Sequence, residues 1–123
     1  MNNEAIIRKL KEQAQNLIEN IYTDDDKLRN WVDKTKIYIL GLWLDKKDEY
    51  FKKEVIKMLE ECKGGIPYYP EIYFNDPEQE VEKTAKGILG IQIKLQKILE
   101  SFIEIVEIRE KALEAQENDT PEE

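Results

Sequence analysis

Glu100, Glu104 and Glu107 stand four and three residues apart, a spacing that puts three carboxylates on one stripe of a helix. Hard divalent cations take several oxygen ligands, so clustered acids around magnesium can support hydrolysis with no other side chain. Such a site needs acids converging from two helices into a concavity. Counted along their own heptads, these three lie opposite the Leu95, Ile98 and Phe102 seam and are expected to face solvent. Asp24, Asp25 and Asp26 form a second acidic group. They lack the spacing of a calcium loop with a late Glu and directly precede an amphipathic segment. Their expected place is a helix start, where Thr23 or Asp24 caps and acids complement the helix dipole.

The remaining chemistry is sparse. The chain has no histidine, which removes Ser-His-Asp and Cys-His catalysis, imidazole metal ligands, Glu-x-x-His di-iron motifs and Arg-plus-His ribonuclease sites. Gly87-Ile88-Leu89-Gly90 is not followed by Lys-Ser or Lys-Thr, so it is no phosphate-binding loop. Cys62 is the single cysteine, which precludes an internal disulfide and points to a reducing compartment. Its expected role is apolar filler near a helix end. These readings lead to the expectation of a non-enzymatic protein with no cofactor, no metal and no small-molecule substrate.

A net charge of −8, with 16 lysines against 3 arginines, disfavours nucleic acid as the main partner. The stretch from Asn2 to Gln15 is charged and amphipathic, without the apolar centre of a secretory signal. The longest apolar run, Ile37 to Leu44, has eight residues and is too short to cross a bilayer. A cytoplasmic location without membrane attachment is expected.

The elements that would position any site are helices. Asp76-Pro77 is a helix start, with Gln79 in the capping-box position. From Pro77 to Gln116 no proline intervenes. Val81, Ile88, Leu95 and Phe102 form one heptad row, and Thr84, Ile91, Ile98, Ile105 and Ala112 a second. Forty residues would extend roughly 60 Å, about twice the diameter of a domain this size. The helix must therefore bend at Gly87 or Gly90, or project toward a partner. Three shorter helices are expected before it, over residues 3–22, 25–44 and 45–62. The third should bury Phe51, Val55, Met58 and Cys62, with Tyr50 and Leu59 alongside, and Gly64-Gly65 should end it in the left-handed conformation. The run 37–44 is apolar all round, which suits a central helix or one covered by another subunit. The predicted fold is an all-α, four-helix bundle-like domain over residues 1–116, with a disordered acidic tail over 117–123.

Residues 64–76 make one irregular stretch rich in proline and aromatics. Tyr68, Tyr69, Tyr73 and Phe74 either form a recognition surface or fold back over one end of the bundle. Phe102 and Ile105, on the far part of the last helix, are expected to contact a second copy or another helical protein, because helices of 17 to 20 residues cover only about half of the last one.

Over residues 26–92 the chain resembles a helical module placed N-terminal to effectors in bacterial defence-associated proteins. The similar features are Trp31, a hydrophobic run ending in Gly41, Tyr50-Phe51, and Ala85-Lys86-Gly87-Ile88-Leu89. The resemblance implies assembly rather than catalysis, and the chain departs from it in carrying no effector domain. Two functions follow as expectations: a protein–protein interaction or oligomerisation module in an antiviral, bacterial or phage conflict system, or a small acidic inhibitor or immunity-type protein binding a basic surface of an enzyme.

Overall fold

The computed structural model describes residues 3–20, 25–67 and 77–118, and every regular element among them is an α-helix. These are α1 (Glu4–Glu19), α2 (Asp25–Leu40), α3 (Lys46–Gly64) and α4 (Pro77–Asn118). Pro77 is the first residue of α4, where its missing N–H costs no intrahelical bond. The 42 residues of α4 are uninterrupted, so Glu117 and Asn118 are helical and the expected boundary at 116 shifts outward. At 1.5 Å per residue α4 extends about 63 Å, against about 24 Å for α1 or α2.

Each helix runs antiparallel to its chain neighbours, and the fourth closes on the first. Asn3 meets Trp43 while Gln13 meets Thr35, which sets α2 against α1. Lys63 meets Asp33 while Lys52 meets Leu42, which sets α3 against α2. Arg109 meets Asp48 and Phe102 meets Phe51, which sets α4 against α3. Lys11 meets Glu107 while Gln92 meets Leu17, which closes α4 onto α1. The result is an up-down-up-down four-helix bundle with α1 and α4 forming one seam and α2 and α3 the opposite one.

The core lies on the inner stripes of all four helices. Leu10, Ala14 and Leu17 enter from α1, Leu28, Trp31, Val32 and Ile39 from α2, and Val55 and Leu59 from α3. Along α4 the buried positions run from Thr84 through Ile88, Leu95, Leu99 and Phe102 to Val106. The buried stretch from Thr84 to Val106 is a little over half of the 42 residues of α4, in line with the reach expected of the shorter helices. Antiparallel packing lets the connection at residues 41–45 and the start of α1 reach as far as Leu113 and Glu114.

Three local expectations are corrected. First, α2 stops at Leu40, and Leu42 to Asp45 are not helical, because Gly41 N–H is shared between the carbonyls of Ile37 and Tyr38 and Leu42 N–H turns to Ile39. Second, α3 buries Lys52, Val55 and Leu59, whereas Met58 and Tyr50 are exposed. The inner stripe is rotated by about one residue from the expected one. Third, Gly65 ends α3 in right-handed geometry, with its N–H on the carbonyls of Glu61 and Cys62 and that of Ile66 on Lys63. Tight turn-type bonds satisfy the last carbonyls without any left-handed residue.

Buried polar side chains fix how the helices slide against one another. Gln13 donates to Thr35 Oγ1 at 2.9 Å, Thr35 donates to the Trp31 carbonyl at 2.8 Å, and Trp31 Nε1 donates to the Gln13 carbonyl at 3.0 Å. Asn3 does not cap α1; it donates to the Trp43 carbonyl and to Glu110, and accepts from Trp43 N–H. The Lys52 ammonium is buried where α2 ends, donating to the Leu42 carbonyl at 3.1 Å and pairing with Glu49 at 3.0 Å. A cation suits the negative end of a helix. Among the described residues no buried side-chain nitrogen or oxygen lacks a partner.

Candidate interaction surface

The α1–α4 seam opens into a groove of about 520 Å³. Ala14 and Ile103 line it, with Ile18 and Ile108 exposed at its edges. Glu100, Glu104 and Glu107 therefore border a concavity and do not simply face solvent. A second groove continues along the same seam, sharing Lys11, Glu107 and Lys111 and adding Glu4, Glu110 and Glu114. Six glutamates and three basic residues line the combined trough. Lys11 pairs with Glu107 at 3.0 Å and Gln96 donates to Glu100 at 3.2 Å. Among the described residues no three acidic, cysteine or histidine groups converge on a common metal position.

The other prominent surface lies at the end of α2 and in the connection that follows it. Ile37, Leu40 and Trp43 are 67, 59 and 67% exposed, although they belong to the apolar run that the sequence suggests is central or covered. The run is amphipathic: Ile39 and Leu42 enter the core while these three point away from it. The exposed Lys34 stands one turn before Ile37, and Asp26 and Asp33 share the helical stripe of Ile37 and Leu40. The nearby acids are engaged, Asp26 with Arg29 and Asp33 with Lys63 and Lys36.

Of the expected contact residues, Phe102 is corrected. It is 1% exposed, its ring 5.6 Å from that of Phe51, so it belongs to the chain's own core and offers nothing to a partner in the folded state. Ile105, three residues on, is 37% exposed on the α3 side of α4. Tyr68, Tyr69, Tyr73 and Phe74 lie outside the described residues, as do Thr23, Asp24, Asp76 and the tail beyond Asn118. The sequence marks the run 37–44 as central or covered by another subunit and groups Glu100, Glu104 and Glu107, but it does not show the groove between α1 and α4.

Among the described residues, two ionisable groups are shifted. The Asp33 carboxyl is held below its ordinary value, chiefly by the hydrogen bond from Lys63 at 2.7 Å. Burial pushes the half-buried Cys62 thiol up, which lowers its thiolate fraction and its reactivity.

Comparison with protein-family models, curated proteins and solved structures finds no match to this chain. Its surfaces are thus interpreted from their own chemistry. No helix among the described residues is long and apolar enough to cross a membrane.

Proposed function

We propose that this chain is a non-enzymatic helical module for protein–protein association, with self-association as its principal mode. The observation that supports the reading is the exposure of Ile37, Leu40 and Trp43 within one short segment, beside a core of buried residues from all four helices. Large apolar side chains that include a Trp are the residues that dominate binding energy when a partner covers them. A role in a bacterial or phage conflict system is part of the proposal and rests on the resemblance at Trp31, Gly41, Tyr50-Phe51 and Ala85 to Leu89.

Sedimentation velocity from low to high micromolar concentration tests it. The expected result is a mass that rises with concentration, and a monomer throughout would sink the self-association reading. The second reading, an acidic inhibitor or immunity-type protein, draws on the net charge of −8 and the glutamates of α4. Its binding to a basic enzyme surface would weaken steeply with salt while the chain alone stayed monomeric.

A further inference from the structure

The α1–α4 trough shares no residue with the exposed segment at the end of α2, and its chemistry points to a different occupant. Ile7, Ala14 and Ile103 lie buried or half-buried along its floor. Ile18 from α1 and Ile108 from α4 stand 53 and 58% exposed at its edges. We propose that the trough binds a basic amphipathic helix of another protein, its apolar stripe on the isoleucines and its lysines or arginines on the glutamate rim. The inference goes beyond the self-association described above, which uses other residues.

Three observations favour this occupant. The first is charge. The rim carries six glutamates against Arg8, Lys11 and Lys111, an excess of three carboxylates. Lys11 crosses the seam to Glu107 at 3.0 Å and Arg8 stays with Glu4 on its own helix. Glu104 and Glu114 have no partner among the described residues. An apolar floor under a rim of one charge binds through the floor and orients its ligand through the rim. The second is length. The trough follows α1 from Glu4 to Ile18 and α4 from Glu100 to Glu114, about 21 Å on either side, or about four turns of helix. A ligand helix of that length offers apolar anchors at i, i+3 or i+4, and i+7 to such a groove. The third is that a second copy fits poorly. Helix α2 has four basic residues against three acidic and α3 six against five, whereas α1 is neutral and α4 is itself acidic. The stripe of Ile37 and Leu40 also presents Asp26 and Asp33. None of α1 to α4 supplies the strongly basic flank that the rim calls for, so the ligand is a different protein.

The test titrates the full chain, at low ionic strength, with a synthetic helical peptide of leucine and lysine about four turns long, its leucines on one stripe. The expected result is saturable binding that weakens with added salt, with amide shifts in nuclear magnetic resonance along Glu4 to Ile18 and Glu100 to Glu114. A scrambled peptide of the same composition, which has the charge but no stripe, should bind at least about tenfold less well. Two double variants, each checked for folding by circular dichroism, separate a docking site from general attraction to an acidic protein. Glu104→Lys with Glu114→Lys should weaken binding about tenfold or more, whereas Glu54→Lys with Glu61→Lys, the same charge change at exposed positions of α3, should cost less than about threefold. Ile18→Glu with Ile108→Glu adds negative charge yet should also weaken binding about tenfold or more, because the apolar edges are lost. Equal losses from the two lysine pairs overturn the proposal, as does unchanged or tighter binding to the isoleucine variant. Equal binding of the scrambled peptide, shifts centred on Ile37 to Trp43, or no binding at all overturn it too. A wild type that sediments as a monomer overturns the self-association reading and leaves this one standing.

Discussion

Gln92 on α4 donates through one nitrogen to two carbonyls that end α1, those of Leu17 at 2.8 Å and Asn20 at 2.6 Å. Both N–H bonds of the amide are thereby used, and two acceptors with no intrahelical partner are satisfied. Replacing Gln92 by Leu keeps the volume but leaves those carbonyls unpaired, which should cost about 1–3 kcal/mol. Gln92→Glu should cost more, because a carboxylate cannot donate and would face two carbonyl oxygens. Chemical denaturation of the three proteins ranks them.

Phe102 and Ile105 are separated by one helical turn and by a large difference in exposure. Phe102→Ala should destabilise the chain by about 3–5 kcal/mol through loss of the Phe51 contact and the space left behind. Ile105→Ala should stay within about 1 kcal/mol. Equal effects in thermal melts would show that the burial of Phe102 in the chain's own core has been misassigned.

Lys52 is tested by a shape-preserving change. Lys52→Met keeps the buried stem but removes the ammonium that satisfies the Leu42 carbonyl and pairs with Glu49. A loss of about 1–3 kcal/mol is expected, with the effect centred on the end of α2 and the 41–45 connection. Hydrogen exchange should therefore quicken at Gly41 to Leu44 before it quickens in the core.

The Asp33 carboxyl links stability to pH. Its folded-state value lies below the ordinary 3.8 because Lys63 bonds the ionised form. The contribution is therefore fully present above that ordinary value and is lost as pH falls through the depressed one. Asp33→Asn should lower stability at neutral pH, by less than about 1 kcal/mol for a pair this exposed. The difference from wild type should vanish in strongly acidic solution. Urea melts across the acid range give the curve, and a difference that persists unchanged at low pH would sink this account.

Helix existence and type follow from the sequence alone because they depend on local periodicity and on breakers. Pro77 marks the start of α4, Gly64-Gly65 the end of α3, and the rows containing Ile88, Leu95 and Leu99 the inner stripe of α4. All three are visible without any knowledge of neighbours. Tertiary structure alone decided which apolar residues were left outside. Ile37, Leu40 and Trp43 have the same hydropathic character as Ile39 and Leu42, and only the position of α2 at a corner of the bundle separates them. Phe102 looked available because the reach of three short helices was judged from their lengths. In the fold, antiparallel packing brings α3 alongside it and buries it against Phe51. Gln13, Gln92 and Lys52 carry no local sign of burial in the sequence, yet each is buried because a carbonyl or hydroxyl from another part of the fold faces it. A polar side chain can enter a core only when its partner is supplied across space, and no local pattern carries that information.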